Sequence, residues 1–192
     1  MATDRIELNT PEARLMFVNL VKPRKIDMKN PDETPKFQLT ATFSPAAQAT
    51  KGYKRLEAAV EKTIANKWGD NPPRKLRKPF LTVDDLDEIP DGINEGDTFI
   101  RLSSTSRPEV VDRNVEAILN LDEVYSGCYG IVNVQCYPWE HATGGKGVSF
   151  GLGPVQKTRD GDPLGGRAKP AAKAFDALPE EDDDLDDDDG IL

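Results

Sequence analysis

The chain has 192 residues, 37% of them hydrophobic and 31% charged, with a formal net charge of −9. That length favours one main domain with room for an appendage. No apolar run reaches the ~18 residues of a membrane-spanning helix, and no charged start leads into an apolar stretch, so neither a spanning segment nor a secretory leader is expected.

The charge is unevenly placed. Residues 176–192 carry ten acids and no base, leaving 24 acids against 25 bases before them, a net of +1. A near-neutral body followed by a polyanion suggests a separate interaction tail. The two cysteines, Cys128 and Cys136, fall in one strand-like run. An extended chain would hold them about 26 Å apart, too far for a disulfide, so two buried thiols are expected.

In chain order, ARLMFVNLV at 13–21 is a strand apolar on both faces and therefore expected to be covered on both sides. It runs into a basic turn, Lys22-Pro23-Arg24-Lys25, and a loop at 29–35. KFQLTATF at 36–43 alternates, with Phe37, Leu39, Ala41 and Phe43 on one face. Ser44 as N-cap and Pro45 at the first turn open one helix over 45–68. Its apolar stripe is Ala49, Tyr53, Leu56, Val60, Ile64 and Trp68, and Gly69 with Pro72-Pro73 ends it.

Residues 70–97 read as irregular, running from the basic cluster at 74–78 to the acidic cluster at 84–88. TFIRLSSTS at 98–106 alternates again, setting Phe99, Arg101 and Ser103 opposite Thr98, Ile100 and Leu102. A short strand near 108–112 and two long strands, 127–139 and 146–158, follow. The turn EHATGG joins the long pair into a hairpin. After Thr158 the composition becomes that of a linker, with a weak helical turn at 171–178 before the acidic end. The expected architecture is mainly β: an OB-fold-like five-stranded barrel with one long capping helix over residues 1–170, then a disordered acidic tail at 171–192. A β-sandwich is the alternative.

Catalysis finds little support. His141 is the only histidine, no Cys-x-x-Cys pair or phosphate-binding Gly-Lys-Ser/Thr loop is present, and no nucleophile elbow occurs. The contiguous acids Asp84–Glu88 resemble solvated surface more than converging metal ligands. No catalytic residue, metal or cofactor is expected.

Single-strand nucleic-acid binding fits better, because it needs cations along phosphates and flat rings for bases. Strand alternation places Phe99 beside Arg101, and Tyr129 and Tyr137 on one hairpin face with Trp139 at its end. Lys22, Arg24 and Lys25 leave the first strand, and Arg107 and Lys146 flank strand ends. Arg74, Lys75, Arg77 and Lys78 form a basic loop.

The run VYSGCYGIVNVQCYPWEH, the strand KGVSFGL, the VQK that follows and the ending DGDPLGG resemble the phage single-stranded DNA-binding proteins. The first strand, the helix and the tail suit the same plan, so the resemblance covers most of the chain. It implies an OB fold, sequence-independent single-stranded DNA binding, no catalysis, and a role in phage replication or recombination in the bacterial host cytoplasm. The acidic ending also resembles the tails of short-tailed phage and bacterial single-stranded DNA-binding proteins, although aromatic tips are usual there and Ile191-Leu192 stands here.

The expected mechanism has the barrel binding the strand while the tail competes for the DNA groove. Once released, the tail's Asp186, Asp187, Asp188 and Asp189 meet a basic surface on a replication or recombination protein, and Ile191 and Leu192 fill an apolar pocket there. The tail's reach also allows a homodimer, with one subunit's tail in its neighbour's groove. The competing reading is a protein-interaction adaptor whose main ligand-bearing element is the tail. A nuclease using Asp84–Glu88 is the third.

Overall fold

A computed structural model describes residues 5–25, 32–142 and 145–165. The expected tail at 171–192 and the helical turn at 171–178 lie outside the described residues.

Among the described residues eight strands and two α-helices follow in order: β1 Ile6–Asn9, β2 Ala13–Arg24, β3 Lys36–Phe43, α1 Pro45–Gln48, α2 Lys51–Trp68, β4 Leu76–Arg77, β5 Thr98–Ser104, β6 Val110–Val111, β7 Tyr129–His141 and β8 Gly145–Arg159. Five of the strands close a ring. β2 pairs antiparallel with β3, β3 with β5, β7 with β8, and β7 back to β2, while β5 and β8 run parallel. The cyclic order β2-β3-β5-β8-β7 is that of the five-stranded Greek-key OB barrel, and the expected fold class holds. β1 pairs antiparallel with β7 at Asn133–Cys136, beyond the short pairing of β2 at Tyr129–Gly130, and β4 and β6 run parallel to β8.

The alternation seen in the sequence fills this barrel. Leu39, Ala41 and Phe43 of β3 meet Ile100 and Leu102 of β5 in one core, with Val132, Val134 and Cys136 of β7 and Phe150 and Leu152 of β8. Both cysteines are free and buried, and burial pushes both thiols above their ordinary pKa.

The single expected helix is two. Thr50 interrupts it: its hydroxyl accepts from the Tyr53 N–H and donates to the Ala47 carbonyl, so it serves as a fresh N-cap. The buried stripe of α2 is Tyr53, Leu56, Ala59, Val60, Thr63 and Ile64. It closes the barrel end where β3 stops and β5 starts. There the Tyr53 ring lies 5.2 Å from Phe43 in an edge-on contact, and its hydroxyl bonds Thr98.

β2 departs from expectation more instructively. It is not covered on both sides: Phe17 and Val21 are 52% and 50% exposed. Ala13 and Leu15 point inward, but so does Leu20, so the inward phase slips. The pairs Met16↔Thr40 and Asn19↔Gln38 span three residues on β2 against two on β3, which is a β-bulge. Phe17 takes the extra position with φ 49°, a left-handed conformation uncommon for a bulky residue. The basic stretch Lys22-Pro23-Arg24, expected as a turn, is the end of this bent strand.

The irregular segment before β5 is structured against the barrel. Leu81 bridges to Phe99, a 3-10 turn covers Val83–Asp85, and Leu81, Val83, Leu86 and Ile93 pack over Met16 and Phe99. Asp85 caps this turn by accepting from the backbone N–H and hydroxyl of Thr82, which gives one of the clustered acids a structural role.

Candidate nucleic-acid interface

In an OB barrel the outward face of the second and third barrel strands, here β3 and β5, is the usual ligand platform. Because Leu39, Ala41, Ile100 and Leu102 fill the core, Gln38 and Thr40 of β3 and Arg101 and Ser103 of β5 turn outward. The β2 bulge lifts Phe17 beside this face, and the bent end of β2 brings Arg24 and Lys25 across it. Phe17, Asn19, Gln38 and Thr40 with Arg24, Lys25, Arg101 and Ser103 line an open groove of about 800 Å³.

A second concavity of about 730 Å³ lies on the other side of Phe17, lined by Val21, Lys22, Pro90, Tyr125 and Leu164. Phe17, Asn19 and Arg24 border both hollows, so the half-exposed Phe17 ring stands on the ridge between them. Neither Arg101 nor Arg24 forms an ion pair with a described carboxylate. This combination of an accessible ring, unneutralised guanidinium groups and polar strand residues suits a flexible polyanion carrying flat bases.

The residues expected from sequence separate into several places. Arg24, Lys25 and Arg101 come together in the groove, with Lys22 in the adjoining hollow. Phe99 shares a face with Arg101 as expected, but it is 1% exposed beneath the 81–93 segment and offers no ring surface, because Met16, Ile93 and their neighbours cover it.

Tyr129 lies outside the groove, beneath the Arg159 guanidinium at 3.4 Å from the ring centroid. Arg159 is held there by Glu12, whose Oε1 accepts from both Nε and Nη2 at 3.0 Å. Burial opposes ionisation of Glu12, but the Thr158 hydroxyl and Arg159 outweigh it and hold the carboxyl below its ordinary pKa.

Tyr137 and Trp139 lie on the outward face of the β7–β8 hairpin, with Arg5 above Tyr137. The Trp139 indole rests on Gly145 and Gly147, where an added Cβ would come within 3.1 Å and 2.7 Å of it. His141 is exposed, with its ring 5.0 Å from that of Trp139. Arg77 belongs to β4 and Arg74, Lys75 and Lys78 flank it, against the start of β8, where Lys146 pairs with Leu76 in register. Lys78 is tied to Glu61 at 2.6 Å and Lys146 to Glu140 at 3.5 Å. Arg107 is exposed in the connection between β5 and β6. The tail residues Asp186–Asp189, Ile191 and Leu192 lie outside the described residues.

Phe17 is the residue that sequence reasoning missed. Within ARLMFVNLV every position but Arg14 and Asn19 suits a buried strand, so a slip of phase leaves no trace.

Among the described residues no group of three or more His, Cys, Asp or Glu could hold a metal ion, and no helix is long and apolar enough to cross a membrane.

Comparison with known proteins gives the same fold. The single-stranded DNA-binding protein from bacteriophage Enc34, solved in complex with ssDNA, superposes with a TM-score of 0.67 at 20% identity, covering 83% of this chain and 89% of that one. The gp2.5 single-stranded DNA-binding protein encoded by bacteriophage T7 superposes with a TM-score of 0.60 at 13% identity, covering 84% and 91%. Protein p50 of Acyrthosiphon pisum secondary endosymbiont phage 1 is 29% identical over 181 residues, 91% of this chain and 94% of that protein. Residues 6–187 match the family model described as "Enterobacter phage Enc34, ssDNA-binding protein". The chain therefore belongs to the Enc34 phage family of ssDNA-binding proteins, a family of binding proteins rather than enzymes.

Proposed function

We propose that this chain binds single-stranded DNA without regard to sequence, in the groove on β2, β3 and β5, and protects the strand during phage DNA replication or recombination in the host cytoplasm. The observation that carries this reading is the exposed Phe17 ring between two hollows bordered by Lys22, Arg24, Lys25 and Arg101. Membership of a family described as ssDNA-binding supports it. Bases stack on Phe17, at about 1–3 kcal/mol per stacked base, and the cations track phosphates. Tyr129, Tyr137 and Trp139 are then outside the primary binding path.

The acidic tail competes with DNA for this groove. Gly165, the last described residue, borders the hollow beside Phe17, and only ten residues of chain separate it from the first of the ten acids of 176–192, a tether short enough for a high effective concentration. Displaced by DNA, Asp186–Asp189 and Ile191-Leu192 are free to recruit replication or recombination proteins.

The test is an anisotropy titration of labelled oligo-dT with the full chain and with residues 1–175, at two salt concentrations. Binding weakens as salt rises, with a log–log slope of about −0.7 per phosphate neutralised. Removing 176–192 raises affinity, most strongly at low salt. No binding at low salt by either form defeats the proposal, whereas equal affinity of the two forms defeats only the tail's competition.

A further inference from the structure

The barrel's helical cap carries positive charge that the groove does not use. Both acids on the outward side of α2 are already engaged, Glu57 by Lys54 at 3.1 Å and Glu61 by Lys78 at 2.6 Å. Lys51, Arg55 and Lys62 are exposed and form no ion pair with a described carboxylate. At spacings of four and seven residues they share one side of the helix, over about 16 Å. The exposed Ala58 between Arg55 and Lys62 leaves that stripe flat.

The Lys78–Glu61 pair ties the segment after α2 to the same surface. That segment adds Arg74, Lys75 and Arg77, all exposed and likewise without an ion pair to a described carboxylate. The body as a whole is near neutral, so this concentration is local. The surface is distinct from the groove. α2 meets β3 and β5 at Phe43 and Thr98, while the groove lies at the other end of the same strand pair, at Gln38 and Ser103. The groove reaches along these strands as far as Thr40 and Arg101, and three residues, about 10 Å of strand, separate those from the cap.

We propose that the outward face of α2, with Arg74, Lys75 and Arg77, is a second nucleic-acid surface that takes the phosphodiester backbone leaving the groove. α2 presents no aromatic ring on its outward side: the Tyr53 ring is buried, and the Trp68 indole N–H is held by Glu140. The helix face therefore reads phosphates and not bases, in contrast with the groove. Single-stranded and duplex backbones share that chemistry.

This proposal rests on the groove reading, and the experiment separates the two. The full chain and its variant Arg55→Gln/Lys62→Gln/Arg74→Gln/Lys75→Gln are titrated with three labelled probes. The probes are an oligo-dT of about 8 nucleotides, which one barrel accommodates, one of about 30, and a hairpin duplex carrying the short oligo-dT as an overhang. Thermal unfolding checks that the variant is folded.

The variant should bind the short probe within about twofold of the parent, and the longer probes roughly tenfold or more weakly. Its salt slope on the long single strand should be shallower by about 0.7 for each phosphate that the four substituted cations no longer neutralise. Weaker binding of the long single strand, of the duplex-bearing probe or of both supports the second surface and identifies which backbone it takes. Unchanged binding of both longer probes overturns it. So does equal weakening on all three, which merges it with the groove, or a gain, which marks the surface as a seat for the chain's own acids. Failure of the parent to bind the short probe would instead sink the groove reading.

Discussion

Two phenylalanines define what a residue contributes here. Phe17 is half exposed on a bulge, and Phe99 is buried beneath the segment that precedes β5. Phe17→Ala should cost about 1–3 kcal/mol of oligo-dT binding, roughly 5- to 150-fold in affinity, with little change in stability. Phe99→Ala should instead destabilise the fold by about 3–5 kcal/mol, because it opens a cavity under a packed cover. Parallel titrations and denaturant unfolding of the two variants check this contrast. Weaker DNA binding by Phe99→Ala at unchanged stability would contradict the assignment. Alternation alone shows that Phe99 and Arg101 share a face. It does not show that Leu81, Val83, Leu86 and Ile93 cover half of that face, since those residues come from a segment with no periodicity.

At the scale of elements, the β2 bulge shapes the interface, and a tie from just before β2 to β8 braces the barrel away from it. The bulge turns one apolar strand into two edges of two hollows. It was not legible in the sequence, because a phase slip from Ala13 and Leu15 to Leu20 disappears when every intervening residue but one is apolar. The hairpin, by contrast, was legible nearly to its ends, since long alternation and glycine-rich punctuation specify both strands. The helix was legible in its stripe but not in its break, because Thr50 acts through its own hydroxyl and not through hydrophobic pattern.

Glu12, just before β2, joins β8 through Thr158 and Arg159. Its folded-state pKa lies below the ordinary value, so its contribution is present above the unfolded carboxylate pKa and is lost as pH falls through the folded one. Glu12→Gln should therefore lower the melting temperature at pH 7, and the gap from the parent should close as pH falls below about 4. Thermal melts from pH 7 to pH 3 measure it. A gap that persists unchanged at pH 3 would rule out an ionised Glu12 as the source.

For the whole molecule, the division of charge matters more than its total. A body of net +1 binds a polyanion only if its cations are gathered, and the structure gathers them at the groove and at the helical cap. The barrel class and the resemblance carried by the hairpin were readable from the sequence. The distribution of the candidate residues over separate faces was not, because it depends on which strands close the ring. Tyr137 and Trp139 share the outward side of β7, whereas Arg101 is on β5, with β8 between them in the barrel order.

The central claim, that the strand lies across β2, β3 and β5, is tested most directly by ultraviolet crosslinking of a short oligo-dT to the full chain, with the attached peptides identified by mass spectrometry. Crosslinks should fall on the β2 peptide containing Phe17. Crosslinks confined to the β7 peptide containing Tyr137 and Trp139 would contradict the account.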